Sequence, residues 1–312
     1  KVNKLNIASL KDVLGDMTLT NLLIEELDLS QINFNGNTLT LQCKQLNKIV
    51  GSETFNGSLF LLPKDCRLTE FTLEGISNIQ GDFQCKDYSY VKEFVMPFIR
   101  VAGDMTIALN SGSVNTAAEI EFPKLQEIGG TLTLGTNRNA NNITFPLLKK
   151  ILGSCSVTTY NLKNDIEFTN LESIGTDGAD AQIKFEIEAT NILCPKLKTI
   201  NGKFDIATSS FMFDMEVDKV SYPNVESISE NLSITCPYSD FGSNGILSID
   251  FSGLKSAKGI SISGQGDVTD FSSFKYLFEN NVLTGESQWS VKECGYNPTF
   301  QEMKDGKYKL AE

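Results

Sequence analysis

The stretch FPKLQEIGGTLTL, residues 122–134, returns with nearly the same pattern as CPKLKTINGKFDI at 194–206 and as YPNVESISENLSI at 222–234. Counted from Leu125, the shared template has an aromatic or aliphatic residue at −3, Leu or Ile at 0 and Ile at +3. Gly often follows at +5, then apolar residues at +7 and +9. Leu10, Ile76 and Leu148 head further copies, and Leu46, Leu171, Leu197 and Val225 keep its front half, with insertions after Gly51 and Ile174. Ile99 and Leu254 head copies one residue short, and Ile32 heads one with a polar residue at +3. The copies recur every 22 to 30 residues or so apart from one closer pair, about eleven in all, and a period in that range marks a solenoid.

Each copy holds two runs of period-2 alternation, the signature of strands with one face buried. One precedes the anchor, as in NDIEF with Ile166 and Phe168; the other follows the Gly, as in TLTL with Leu132 and Leu134. Between them a corner places Leu and Ile three apart, both pointing inward. Pro at −2 pre-sets the bend and lacks the donor that a continuing ladder would need. Gly at +5 suits positive φ or close approach to the next coil. These features predict a mainly β chain folded as a right-handed parallel β-solenoid. At about 4.8 Å per coil, about eleven coils would make a rod near 50 Å long.

The repeat fades after Ile262, so residues 1–265 are expected to form the solenoid and 266–312 a small helical C-terminal cap. In the cap, Phe271, Phe274, Leu277 and Phe278 have helical spacing behind Asp270 as an N-cap. PTFQEMKDG, residues 298–306, reads as a short closing helix stopped by Gly306. A cap is required because the last coil of a solenoid exposes an unpaired edge. The N-terminal end shows no such element, which is the pattern expected if a preceding domain has been cut away.

Composition narrows the function. With 40% apolar and 21% charged residues, the chain reads as an ordinary soluble folded protein. Its net charge of −12 disfavours nucleic acid and bare membrane as partners, although acidity also serves solubility. The absence of histidine removes the commonest general base and zinc ligand, and with them every Ser-His-Asp or Cys-His scheme. No run of 18 or more apolar residues is present, so no transmembrane segment is expected. The chain opens on Lys1 without an initiator Met or signal region and reads as a processed or truncated product, addressed by something upstream. The seven cysteines are odd in number, widely spaced and without a CxxC pair, which fits neither a disulfide framework nor zinc. Cys43, Cys85, Cys155, Cys194 and Cys236 occupy inward template positions, where a thiol acts as a small hydrophobe.

The repeated F-P-x-L-x-x-I-x-G-x-L-x-I pattern resembles receptor L-domains and the leucine-rich-repeat-like proteins related to them. The ending W-x-V-x-x-C-G-Y-N-P-T from Trp289, with M-K-D-G-x-Y behind it, resembles that of surface lipoproteins of gut Bacteroidetes that carry such solenoids. The first resemblance covers most of residues 5–265, the second some twenty residues. A fungal cell-wall protein of the GPI-anchored L-domain type is the rival, but only three sequons occur, at Asn56, Asn142 and Asn231. The resemblance implies an exported module displayed on the outer membrane or cell surface and anchored upstream of this chain. It brings no catalytic residues, cofactor or metal.

Loops after the second strand of each coil should emerge along one edge of the rod, and function tends to sit on loops presented by a rigid scaffold. Several carry aromatics beside Asn, Ser and Asp: Tyr88, Tyr90, Phe211, Tyr238 and Phe241. Aromatic faces with adaptable polar neighbours suit sugar rings or peptides, although Phe211 and Phe241 could equally fold back onto the coil. Residues 175–182 and 264–270 put Asp beside Gly as calcium loops do, but without ligand periodicity they read as ordinary turns. Glu186 and Glu188 lie on the outward face of a strand and imitate a glycosidase pair, a pattern that a solvated sheet also produces. The expectation is a monomeric, non-enzymatic binding or adhesion module for glycan or host protein. The alternatives are a β-helix polysaccharide lyase, which would need clustered Lys, Arg or Tyr with acidic residues or calcium, and a structural spacer.

Overall fold

The computed structural model describes residues 5, 7, 9–63, 68–86, 92–110, 118–137, 140–160, 164–178, 180–187, 191–208, 219–236, 248–266 and 268–311. Successive turns of the chain stack in parallel as a β-solenoid. Its long face is one twelve-stranded sheet in strict chain order, from Met17–Thr20 to Gly259–Gly266, closed by Trp289–Cys294. Eleven of those strands come from the repeat, the twelfth being Trp289–Cys294. A corner sheet of eight two-residue strands runs from Thr54–Phe55 to Ser227–Ile228, so about eight turns carry both a long strand and a corner strand. A second face is broken into sheets of three, five and two strands: Glu26–Asp28 to Thr72–Glu74, Glu93–Val95 to Ile192–Leu193, and Lys219–Ser221 with Ser248–Asp250.

The opening stretch shows how the template folds. Phe122, Leu125, Ile128, Leu132 and Leu134 are all buried, while Thr133 between the last two is exposed. In register, Leu132 lies between Met105 and Cys155, and Leu134 between Ile107 and Val157. Like therefore stacks on like through the rod. At the −3 position Phe122, Phe145 and Phe168 form a column with ring centroids 4.8 and 4.9 Å apart and planes within 10°. Cys194 interrupts that column, and Tyr222 and Phe251 resume it in tilted contact, centroids 5.7 Å apart. Tyr222 stays buried because its hydroxyl donates to the Ile192 carbonyl oxygen at 3.0 Å, one coil below.

In the central coils the Gly at +5 is required by close approach rather than by positive φ. A Cβ on Gly130 would stand 2.3 Å from Asp104 Oδ1 and 2.8 Å from the backbone of Gly103. Nearby, side chains replace the acceptors that the backbone loses as it bends into the long strand. Asp16 Oδ1 accepts from Thr38 N, Asp82 Oδ1 from Asp104 N and Asp104 Oδ1 from Thr131 N, at 2.7 to 2.8 Å. Ser58 and Ser154 do the same through Oγ to the N–H of Asp82 and Gln182. Each side chain thus satisfies a backbone donor of the coil above it.

Three irregular copies are seated differently from their template alignment. Phe98 rather than Ile99 takes the fully buried anchor position, which moves the missing residue ahead of the corner. In the copy headed by Ile32, the bridge of Asp12 to Asn33 aligns Phe34 with Val13, so Phe34 fills the +3 place assigned to polar Asn35. In the copy headed by Leu46, Ile49 pairs with Leu27 and Leu73 on the second face, and Phe55 supplies the corner residue opposite Ile79. The physical reason is common to all three. Where the turn departs from standard length, a bulky Phe reaches the core from a displaced backbone, and Phe34 packs on Phe55 at 4.8 Å.

At the C-terminal end, a 3₁₀ turn at Ser272–Phe274 runs into the helix Lys275–Glu279, with Phe274, Leu277 and Phe278 inward. Asp270 Oδ1 accepts from Ser272 N at 2.7 Å, one residue ahead of the expected cap geometry. The closing helix Phe300–Lys304 has a reciprocal capping box between Thr299 and Glu302, and Gly306 follows it at φ 81°. Trp289 is not merely a closing residue. It heads the twelfth strand, opposite Ile260, and its Nε1 donates to the Pro298 carbonyl oxygen at 2.9 Å. Phe271, Phe274 and Phe278 all meet its ring edge-on. Among the described cysteines, Cys43, Cys85, Cys155 and Cys194 are buried thiols outside any disulfide and Cys294 is half-buried. The side chain of Cys236, and Cys66 altogether, lie outside the described residues.

Candidate functional site

The two ends of the long strands are built under different constraints. Between the second face and the corner, the connections 122–126, 145–149, 168–172, 194–198 and 222–226 are each five residues long. All carry the anchor and four carry the Pro, Thr169 standing in its place in 168–172, and each turns its anchor into the core. At the opposite edge the long strands end in register: Asn110, Asn137 and Tyr160 are ladder neighbours, as are Ile187 and Thr208. From Lys86 onward, the connections leaving this edge are 87–92, 111–117, 138–139, 161–165, 188–191, 209–218 and 237–247. They range from two residues to eleven. Over these coils the corner connection varies only between four residues, at 96–99, and five, while the opposite one is free.

All five aromatic candidates belong to the variable connections. Tyr88 and Tyr90 follow the strand Phe83–Lys86, Phe211 follows Gly202–Thr208, and Tyr238 and Phe241 follow Asn231–Cys236. The five residues themselves lie outside the described residues, as does Glu188. What the fold supplies is their points of departure, on one edge of a continuous sheet.

The outward side of the long sheet beside that edge is ordered in rows. One row runs Gln84, Thr106, Thr133, Ser156, Lys184 and Asp205 across six strands; the next, two residues along, runs Lys86, Ala108, Gly135, Thr158, Glu186 and Ala207. Inward neighbours on these strands are fully buried, which leaves the rows as the solvent surface. Sequence reasoning did not single out this surface. Its signal was present in the Ser and Thr that recur one residue after the apolar +7 position, at 106, 133, 156, 233 and 261.

Glu186 closes the uncharged stretch of these rows. Lys184 Nζ approaches its Oε1 at 2.5 Å, and the Thr158 hydroxyl donates to its Oε2 at 2.8 Å. The hydrogen bond from Lys184, opposed by partial burial and aided by Thr158, holds the Glu186 carboxyl below the usual range. It is thus an ionised acceptor at neutral pH, in an environment opposite to that of a general acid. Lys203 and Asp205 on the next strand pair at 2.9 Å.

Two further places have shape. A cavity of about 130 Å³ opens where the second face is interrupted, between Ile192–Leu193 and Lys219–Ser221, with Tyr222 in its wall. A wider concavity of about 550 Å³ at the N-terminal end is lined by Leu5, Leu23, Ile24, Glu25, Glu26 and Asp28 among others. Among the described residues no group of three or more His, Cys, Asp or Glu is placed to hold a metal ion. In the stretch 175–182, Asp177 and Asp180 are exposed beside Gly175 and Gly178, which take positive φ as tight turns do. Burial pushes the Cys155 thiol up to about 12, raises Cys194 with help from neighbouring Cys155, and raises the Tyr222 hydroxyl. These three are core groups held in their neutral forms. No described helix is long and apolar enough to cross a membrane.

No protein-family profile, curated protein or solved structure matches the chain.

Proposed function

We propose that the chain is a non-enzymatic binding or adhesion module, engaging glycan or extracellular protein through the variable edge of the solenoid. The observation that carries this reading is the contrast between the two ends of the long strands. Five successive corners keep one length, while the opposite connections run from two to eleven residues. A spacer has no need of that difference. A binding surface does, because loops on a rigid frame can change shape without disturbing the core beneath them. The aromatic residues Tyr88, Tyr90, Phe211, Tyr238 and Phe241 fall in the loops concerned. The likeness of the repeat and of the C-terminal ending to L-domain and leucine-rich-repeat-like surface lipoproteins supports display at a cell surface, by an anchor outside this chain.

The test is binding of the purified chain to an array of mucin O-glycans and dietary polysaccharides, beside a Tyr88→Ala/Tyr90→Ala/Tyr238→Ala variant. Selective binding that the variant loses would support a glycan site on the edge. Silence across the array, followed by failure to retain any extracellular protein in a cross-linking screen, would overturn the reading in favour of a spacer.

A further inference from the structure

The two edges of the long sheet are finished differently. At the C-terminal edge the strand Trp289–Cys294 carries Lys292 and holds Glu293 at φ 57°. It meets its neighbour through a register shift between Ser263 and Gly266, and the cap packs on it through Phe278 and Trp289. Charge on the strand, an interrupted ladder and a covering element are the means by which an edge is kept from pairing with another chain. The N-terminal edge, Met17–Thr20, is uncharged, and its ladder to Thr38–Gln42 is unbroken. Its packing is also unfinished. Met17 and Leu19 are half-buried, whereas Leu39 and Leu41, their partners one coil above, are buried, and Leu14 just before the strand is 90% exposed. In this sheet the inward residue at +7 donates to the coil above, as Phe83 N does to the Asp104 carbonyl oxygen and Met105 N to that of Thr131. Backbone groups alternate sides along a strand, so those of Thr18 and Thr20 point off the end of the rod. Among the described residues the sheet has no further strand there.

We propose that the Met17–Thr20 edge docks an extended segment of another polypeptide, which joins the long sheet as a further strand with apolar residues over Met17 and Leu19 and basic residues at its ends. The open backbone groups call for a strand, because a row of unpaired donors and acceptors is satisfied in register by another extended chain. The charge calls for basic ends. Residues 9–28 hold Asp12, Asp16, Glu25, Glu26 and Asp28 against one cation, Lys11. Two of these carboxylates precede the strand and three follow it, so acid lies off both its ends. Glu25, Glu26 and Asp28 rim the concavity of about 550 Å³ at this end, beside Leu23 and Ile24. An apolar wall with carboxylates at its rim suits the stem and ammonium of a lysine. Lys48, the ladder neighbour of Glu26, is turned to Glu74 at 3.3 Å. The same carboxylates disfavour a second copy as the occupant. Antiparallel pairing of this edge with itself would set residues 12–16 of each copy towards 25–28 of the other, acid against acid. The surface lies apart from the variable loops, and the inference does not depend on binding there.

Fluorescence anisotropy of the labelled peptide KKVTVTVKK, titrated with the intact chain, tests the proposal, with EEVTVTVEE as the charge control. Thr18→Pro removes an N–H on the open side and costs the protein no ladder bond. Glu25→Lys/Glu26→Lys reverses the charge at one end, and the triple tyrosine variant runs alongside. Unchanged melting confirms that the variants remain folded; Thr20→Pro repeats the backbone test if Thr18→Pro melts early. The expected result is saturable binding of the basic peptide and none of the acidic one. That binding should weaken about tenfold or more with each change at the edge and persist in the tyrosine variant. Absence of saturable binding would overturn the proposal. Binding that the proline variants leave unchanged would overturn it too, as charge attraction without a strand. A dimer in sedimentation velocity that Thr18→Pro abolishes would overturn it in favour of a second copy.

Discussion

Replacing Leu132 by Asp tests the inward and outward assignment at one residue of the quoted stretch. Leu132 is fully buried, with Met105 and Cys155 beside it in register. Removing the leucine forfeits roughly 2–3 kcal/mol of apolar burial. Leaving a carboxylate unpaired in its place costs roughly 3–5 kcal/mol more. The sum is comparable with the whole stability of a typical domain, about 5–15 kcal/mol. Thr133→Asp, one residue along, keeps its side chain in solvent between Thr106 and Ser156, and a surface change of that kind stays within about 0.5 kcal/mol. Urea titration followed by far-ultraviolet circular dichroism compares the two with the parent. Trp289, the only tryptophan, reports separately by fluorescence on the cap, six long strands further on. Because each coil touches only its neighbours, Leu132→Asp should lower the dichroism midpoint more than the tryptophan midpoint. The buried Asp would have its pKa raised, so part of the loss should be recovered towards pH 4, where it protonates. Equal midpoints for both variants, or greater damage from Thr133→Asp, would refute the assignment.

Two other outcomes follow from the charged and thiol groups. Stability should be level between about pH 6 and 8, since the chain has no histidine to titrate there, and should fall on both sides. Asp28 and Glu186 have carboxyls held below their usual range by hydrogen bonds from Ser30 and Lys184, so their contribution is present above the unfolded pKa and is lost as acid protonates them. Cys155, Cys194 and Tyr222 are raised by burial, so their contribution is present below the unfolded pKa and is lost as pH climbs above about 9; thermal melts across pH 3 to 11 would show a monotonic curve if this is wrong. Under native conditions iodoacetamide should modify half-buried Cys294 well before Cys43, Cys85, Cys155 or Cys194, read site by site by mass spectrometry. Labelling of Cys155 at the rate of Cys294 would contradict its burial between Leu132 and Ile183 in the long sheet.

The repeat was legible because a solenoid writes its core into the order of residues. Leu125, Ile128, Leu132 and Leu134 are buried by their own local geometry, and the same spacing recurs wherever the turn has standard length. The same rule explains the misplaced residues. Ile99, Asn35 and Ile49 were aligned by spacing, but in shortened or lengthened turns the backbone is displaced, and Phe98, Phe34 and Phe55 fill the space. The strand at Trp289–Cys294 had a readable signal, since W-S-V beside I-S-I keeps the alternation. The 22 residues between Gly266 and Trp289 concealed it.

From the order of residues alone came the stacking, the inward set and the buried thiols. Those properties depend on periodicity along one chain. Only the tertiary structure decided which outward residues become neighbours, because Thr106, Thr133 and Ser156 are separated by more than twenty residues and meet through ladder register. It also decided that the Gly after the corner is required by a carboxylate and a backbone one coil away, and that Tyr222 is satisfied by the carbonyl of Ile192. Contacts between coils are set by how the backbone of each turn seats on the last, and that seating is a property of three dimensions.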